Sequence, residues 1–139
     1  MKIYLACPYI HADRDVIESR VVKASKAAGY FMDKGDRVYS PITHGHYINA
    51  HMDTQEGDHK FWLNQCYPDV VSAEAVYVLA IQGWNSSKGV RWEVETAFAF
   101  NVPVYIVDPT NYELSELKNP GWKIEEIYRR DYEQSTNVA

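Results

Sequence analysis

The stretch AVYVLAI, residues 75–81, is a continuous apolar run. Runs of this length without polar alternation are typical of central parallel strands, whose two faces are both covered by helices. The turn GWNSSK follows at residues 83–88, and from Gly89 to Asn101 the apolar residues Val90, Val94, Ala97 and Phe98 recur on one helical stripe. Strand, turn and helix in this order are the repeating unit of a parallel α/β sheet.

The same alternation extends toward the N-terminus. KIYLA, Lys2–Ala6, reads as a first strand that stops at Cys7-Pro8, because proline cannot donate to a continuing ladder. Asp13 to Lys34 carries apolar residues at three- and four-residue steps and is followed by Gly35, which predicts an amphipathic helix. RVY, Arg37–Tyr39, is a short second strand.

The remaining segments complete the order. Residues 42–58 lack clean periodicity and predict a long loop, and residues 60–72 have helical character interrupted by Pro68. VPVYIV, Val102–Val107, predicts another strand, and residues 122–128 fit a last edge strand or a helix. We therefore predict a flavodoxin-like or Rossmann-like three-layer α/β fold with a central parallel sheet of four or five strands. One domain is expected over residues 1–139, with 110–139 as a C-terminal extension.

Composition excludes several classes of partner. The 139 residues are 46% hydrophobic and carry a formal net charge of −5, so no basic surface favours a nucleic-acid polymer or an anionic membrane. No apolar run approaches the length of a bilayer span, and the two cysteines fit neither a disulfide framework nor a zinc finger. These features predict a soluble, cytoplasmic protein, and we predict no cofactor for it.

In such a sheet the loops after the strands converge on one crevice. The helix after the GWNSSK turn begins near Ser87 and Gly89, so the unpaired backbone N–H groups of its first turn point into the crevice. Together with the Ser86 hydroxyl beside them, they can bind an anion. The alternative is that Ser86 or Ser87 only caps the helix, and the two roles can coexist. Glu93, one turn inside that helix, is a candidate nucleophile or general base. Its rival Glu95 follows Arg91 by four residues and fits an exposed ion pair.

Histidines in the predicted loop offer a second group of candidates. A metal site is one interpretation of the four histidines His44, His46, His51 and His59. Their spacing matches no specific metal motif, and we predict no metal. His44 and His46 are interpreted instead as substrate-binding. Cys7 lacks a partner base in the sequence and is more consistent with packing than with nucleophilic chemistry.

With these residues in place, the chain resembles the nucleoside 2-deoxyribosyltransferase-like superfamily, which includes nucleotide N-glycoside hydrolases. The resemblance rests on Ile3-Tyr4-Leu5-Ala6, on the strand at 75–80, and on Gly83-Trp84 followed by Ser87-x-Gly89-x-x-x-Glu93-x-x-x-Ala97, with a strand from Val102. YLACPY at 4–9 and YSPITHGH at 39–46 look like a group of uncharacterised bacterial and phage domains within it. The resemblance covers roughly residues 1–107.

The resemblance implies specific roles. The glutamate matching Glu93 attacks C1′ of the sugar and forms a glycosyl ester, the tyrosine matching Tyr4 hydrogen-bonds that carboxylate, and the serine matching Ser87 binds a 5′-phosphate. An arginine near the start of the first helix, Arg14, is expected to pair with that phosphate, and Arg20 is expected on a solvated helix face. The expected substrate-binding residues are Cys7, Pro8, Arg14, His44, His46, Trp84, Ser86, Ser87 and Gly89.

One position departs from the family pattern. Cys66 stands where an aspartate is expected to orient the sugar or protonate the leaving base. Asp69 is the predicted catalytic substitute, and Glu74 replaces an aspartate that commonly precedes the third strand. If neither reaches the sugar, a histidine of the 44–46 segment is left as the candidate general acid.

These observations predict hydrolysis of the N-glycosidic bond of a nucleoside 5′-monophosphate through Glu93. The alternatives are base exchange by a nucleoside 2-deoxyribosyltransferase, a nucleotide-binding module without turnover, cleavage of the nicotinamide bond of NAD, and a metal-dependent hydrolase. A homo-oligomer, dimer or higher, is implied by the family. Tyr112, Trp122, Tyr128 and Tyr132 are candidates for its interface, or else pack on their own sheet.

Overall fold

The computed structural model describes residues 1–53 and 58–119. The strands are β1 (Lys2–Ala6), β2 (Arg37–Tyr39), β3 (Ala75–Leu79), β4 (Val104–Val107) and β5 (Leu114–Glu116). The helices are α1 (Arg14–Asp33), α2 (Pro41–Asn49), α3 (His59–Val71) and α4 (Lys88–Ala99), with a short 3-10 turn at Trp84–Ser86.

The sheet has the order β2-β1-β3-β4-β5. The first four of these are parallel, and β5 runs antiparallel to β4 along one edge. The chain passes from β1 outward to β2 and then returns to the other side of β1 as β3. The order of strands therefore reverses between β1 and β3, which is where α/β sheets of this kind open a crevice at the carboxyl ends of the strands. The predicted Rossmann-like fold is confirmed.

Alternation along β1 divides the core into two layers. Ile3 and Leu5 pack with α1, whereas Tyr4 and Ala6 face the opposite side with residues of α3 and α4. Helices cover both faces of the sheet at its centre, because every residue of β3 is buried. Tyr4, a side chain with a polar tip, is thereby fixed deep beneath α4.

Each long helix begins at a side-chain cap that the sequence supplies. The side chains of Asp13, Asp58 and Ser87 accept hydrogen bonds from N–H groups in the first turns of α1, α3 and α4. Gly35 adopts φ +98° just after α1, where a residue with a side chain would be strained. Helices α1 and α4 therefore have nearly the bounds that the sequence predicts.

The structure corrects the sequence interpretation in the middle of the chain. Residues 41–49 form α2, where a loop was predicted, with Pro41 at the first helical turn. Helix α3 runs through Pro68 to Val71 rather than breaking there, so the proline removes one backbone N–H donor without ending the helix. Gly45 of α2 packs on Trp62 of α3: a Cβ there would stand 3.2 Å from the Trp62 ring.

The C-terminal part is described only as far as residue 119. Strand β5 adds an exposed edge that the sequence did not predict. Tyr112 packs back on the domain, with its ring 4.7 Å from that of Tyr30 on α1. The predicted element at residues 122–128 and the interface candidates Trp122, Tyr128 and Tyr132 lie outside the described residues. Within the described ranges, no helix is long and apolar enough to cross a membrane.

Candidate active site

A cavity of about 450 Å³ opens at the carboxyl ends of β1 and β3. Its volume suits a small-molecule ligand. The wall is built from the loop after β1, the α2 helix, α3, the turn after β3 and the first part of α4. The lining residues used below are Cys7, Tyr9, Arg20, His46, Trp62, Cys66, Ser86, Ser87, Lys88, Gly89, Trp92 and Glu93.

Glu93 is the one carboxylate in this wall among the described residues. Only 7% of the residue is exposed, and this burial raises the pKa of Glu93 to about 8. The Tyr4 hydroxyl opposes the shift by stabilising the carboxylate, which lowers the pKa of Glu93. A carboxyl group near its ionisation point at neutral pH can act as a nucleophile or exchange a proton.

Tyr4 lies behind the wall rather than in it. The residue is fully buried, and burial, with smaller contributions from Glu93 and Cys66, raises the pKa of Tyr4 well above its usual range. Among the described residues its hydroxyl makes no hydrogen bond of good geometry, although it is near enough to both groups for these electrostatic effects. Tyr4 therefore stays a neutral phenol that supports Glu93 from below.

Two thiols flank the carboxyl. Burial and the Glu93 charge raise the pKa of Cys66 to about 12, and the same two causes raise the pKa of Cys7 to about 12. Both side chains are therefore neutral thiols at neutral pH and poor nucleophiles. Cys66 lines the cavity but contributes no negative charge to it.

The predicted substitutes for the missing aspartate are not in the wall. Asp69 is half-buried one turn beyond Cys66, and its charge reaches Cys66 and Tyr39, whose pKa values it helps to raise. Glu74 is exposed and precedes β3, at the opposite end of the sheet from the cavity. Glu74 therefore cannot reach a ligand in this crevice.

Helical geometry separates the two histidines that the sequence paired. His46 lines the cavity, whereas His44 is exposed with its ring 5.6 Å from Tyr39. Residues two apart on a helix point about 200° apart, so only one of them can face the ligand. The prediction of both as substrate-binding depended on a loop that is not there.

The arginine prediction was also misplaced. Arg14 is 58% exposed and lies 3.6 Å from Glu18, away from the wall. Arg20, expected on a solvated face, lines the cavity instead. Its guanidinium donates to the carbonyls of Tyr9 and Ile10 after β1 and to that of Gln82 after β3, at 3.0–3.3 Å.

The turn before α4 matches the sequence prediction more closely. Ser86, Ser87 and Gly89 line the cavity together with Lys88. The Ser87 hydroxyl accepts from the Val90 N–H at 3.2 Å and so caps the helix, as the alternative interpretation expected. Of the other predicted binding residues, Pro8 is buried outside the wall, and Trp84 packs on the core beneath α3 and α4.

Glu95 differs from its predicted exposed state. It is 2% exposed, two residues beyond Glu93 and therefore on another side of α4. It does not line the cavity. Across the described ranges, no three histidine, cysteine or acidic side chains come together in a metal-binding group.

Comparison with known proteins agrees with this architecture. Residues 1–109 match the family described as domain of unknown function DUF1937. The chain belongs to this family.

The DUF1937 chain also has the fold of a solved 2-deoxyribosyltransferase from the psychrotolerant bacterium Bacillus psychrosaccharolyticus. The two share 21% sequence identity with a TM-score of 0.54, over 83% of this chain and 77% of the other. The fold that the resemblance implied is thus confirmed. No curated protein matches the chain.

The three hydrogen bonds by which Arg20 joins the loops after β1 and β3, here called the Arg20 clamp, can be tested by a stability measurement. Gly83 has φ +92°, and a Cβ on it would stand 2.8 Å from the Arg20 guanidinium. We expect Gly83→Ala to lower the free energy of unfolding by about 1–3 kcal/mol in urea titrations, from backbone strain and loss of the clamp. Gly35→Ala is the control, since Gly35 has φ +98° and a Cβ there meets nothing within 4 Å, so this variant has the backbone strain without the contact to Arg20. Equal losses of stability in the two variants would contradict the clamp.

The raised pKa of Glu93 makes stability depend on pH. Below about pH 4.5 the carboxyl is protonated in both states, so its burial costs little. Between pH 4.5 and 8 only the unfolded chain ionises, and the folded state loses stability up to the folded pKa of about 8. Glu93→Gln lacks this penalty.

As pH rises from 5 to 8, the free energy of unfolding of Glu93→Gln should therefore increase relative to that of the wild type by a few kcal/mol. Denaturant titrations at several pH values measure the difference. Glu74→Gln, at an exposed site, controls for the loss of a charge. A difference for Glu93→Gln that does not grow with pH would show that the carboxyl is ionised in the folded protein.

Proposed function

We propose that this protein transfers the glycosyl group of a nucleoside through Glu93, in the manner of a 2-deoxyribosyltransferase. The observation that carries the proposal is the buried Glu93 carboxyl in the wall of a cavity of nucleoside size, supported by Tyr4. The fold of the 2-deoxyribosyltransferase adds support.

The chemistry follows from the position of one carboxylate. In its ionised form Glu93 attacks C1′ of the sugar while the bond from C1′ to the base nitrogen breaks and its electron pair leaves with the base. The transition state carries positive charge on C1′ and the ring oxygen, which a carboxylate in a poorly solvated site stabilises strongly. The resulting ester is resolved when a nitrogen of a second base attacks C1′ and Glu93 departs.

The apolar part of the wall suits the planar base. Trp62 lines the cavity and is only partly buried, and Gly45 allows α2 to approach its ring. Indole faces and edges contact planar heterocycles favourably and exclude water from the reacting bond. Exclusion of water favours a base over water as the acceptor.

A second candidate function is hydrolysis of a nucleoside 5′-monophosphate. It is favoured by the N-terminus of α4, where Ser86, Lys88 and Gly89 line the same cavity, and by the positive charge of Arg20. Helix N-termini and cationic side chains favour a phosphate dianion over an uncharged hydroxymethyl group. In this alternative, water resolves the same Glu93 ester.

One experiment distinguishes these functions. Purified protein is incubated with 2′-deoxyadenosine or its 5′-monophosphate, with and without hypoxanthine, and the products are separated by chromatography. We expect a new nucleoside when hypoxanthine is present, and no product from Glu93→Gln. Free adenine without a new nucleoside would favour the hydrolase.

Wider panels with pyrimidine substrates test the breadth of the base site. Tight binding with no base released from any substrate would overturn both enzymatic proposals and leave a nucleotide-binding module. Product formation by Glu93→Gln at the wild-type rate would remove the nucleophile from the proposal. Glu74→Gln again controls for the loss of a carboxylate.

The role of Tyr4 gives a separate prediction. Removing its hydroxyl with Tyr4→Phe takes away the group that lowers the pKa of Glu93. The ascending limb of kcat/KM, set near pH 8 by Glu93, should move to higher pH, so that activity falls at pH 7 and recovers in alkaline buffer. Tyr77→Phe, on the opposite face of the sheet, is the control. A uniform loss at all pH values would assign Tyr4 to packing alone.

A further inference from the structure

One hydrogen bond and one ion-pair contact join three side chains in a row along one side of the cavity. The Tyr9 hydroxyl lies 2.6 Å from Nδ1 of His46, and Nε2 of His46 lies 3.3 Å from the Glu18 carboxylate. The His46 side chain is only 7% exposed, whereas that of Glu18 is 51% exposed. Tyr9 and His46 line the cavity, and Glu18 stands outside it on α1.

We propose that Tyr9 is the catalytic residue that exchanges a proton with the nucleobase, and that His46 and Glu18 are the positioning residues that supply and hold that proton. This inference rests on the proposed function and names the acid that the reaction requires. It also gives His46 and Glu18 a role beyond the packing of α2 on α1.

The geometry allows a balanced proton transfer. With His46 as imidazolium, Nδ1–H donates to the Tyr9 oxygen and Nε2–H donates to Glu18. As the C1′–N bond breaks, the Tyr9 O–H proton passes to the base nitrogen, and the Nδ1 proton passes to the Tyr9 oxygen. Tyr9 ends as a neutral phenol and His46 as a neutral imidazole that still donates to Glu18. In the second half-reaction the acceptor base returns one proton by the reverse path.

The surroundings of His46 suit this cycle. Glu18 lies within ion-pair distance of His46, and Arg14, whose Nε is 3.6 Å from the same Glu18 oxygen, competes for that carboxylate. On its own helix the imidazole meets the Tyr47 ring edge-on at 5.0 Å. The other titratable or charged groups in the cavity wall are His11, Arg20, His59, Lys88, Glu93, Cys7 and Cys66.

The neighbouring candidates do not fit this role. Cys66 faces the cavity, but a thiol whose pKa is about 12 gives up its proton reluctantly. Asp69 and His44 lie outside the wall. Glu93 is engaged as the nucleophile and has to be ionised to act. Tyr9 is the group in the described wall that has a histidine relay directly behind it.

Leaving-group dependence tests the proposal. A base leaves readily only when protonated, whereas 4-nitrophenolate leaves as a stable anion without a proton. We expect Tyr9→Phe and His46→Gln to lower kcat for 2′-deoxyadenosine by on the order of 10²-fold or more. Both variants should release 4-nitrophenolate from 4-nitrophenyl 2-deoxyriboside at nearly the wild-type rate.

Matched controls are available on the same helix and just after it. Tyr47→Phe removes the same hydroxyl from an exposed tyrosine, and His51→Gln makes the same change at an exposed histidine. Neither should alter either rate. Thermal unfolding midpoints of all four variants show whether a loss of rate reflects a loss of folding.

Glu18 has its own test, because it would act only through His46. Glu18→Gln should lower kcat for 2′-deoxyadenosine and leave the release of 4-nitrophenolate near the wild-type rate. An equal loss on both substrates would make the contact between Glu18 and His46 structural.

Several outcomes would overturn the inference. Equal losses on both substrates would make Tyr9 and His46 structural, and unchanged rates on both would remove them from the reaction. In either case Glu93→Gln still abolishes both rates if the proposed function holds. A wild-type protein that cleaves neither substrate would overturn the proposed function and the relay together.

Discussion

Burial of the Glu93 carboxyl is the constraint around which this site is organised. A carboxylate that is 7% exposed loses most of its hydration, so the fold holds it with a pKa near 8 rather than near 4.5. The alternation of β1 places Tyr4 on the α4 side of the sheet, where its hydroxyl offsets part of that cost. The catalytic chemistry proposed for Glu93 and the stability of the fold therefore depend on the same interaction.

Elements with a strong local signal were predictable from the sequence. The unbroken apolar runs of β1 and β3 and the apolar stripes of α1 and α4 predicted a parallel sheet between helices, and the structure has it. Helix α2 was not predictable in this way, because YSPITHGHYIN has no apolar period. Its place depends on tertiary contact, with Gly45 against the Trp62 ring from a helix that follows later in the chain.

That one missed helix explains much of what the sequence could not predict about the site. Treating residues 42–58 as a loop left His44 and His46 equivalent, whereas a helix turns one toward the cavity and the other toward solvent. Arg20 was missed for a related reason: its three acceptors are backbone carbonyls of two loops that meet only in the folded chain. Ser87, Gly89 and Glu93 were found because strand, turn and helix follow one another directly, so local order fixes their positions.

Cys66 affects both the pKa of Glu93 and the choice of the proton donor in the proposed reaction. A carboxylate at this position would face Glu93 as a like charge and raise the pKa of Glu93 beyond the effect of burial. A neutral thiol avoids that repulsion, and Glu93 stays ionisable near neutral pH. The thiol also offers no effective acid on the α3 side of the cavity, because a pKa of about 12 makes Cys66 a weak proton donor. In the proposed reaction the proton therefore comes from another wall, and Tyr9 with His46 behind it is the hydrogen-bonded pair that the α2 side provides.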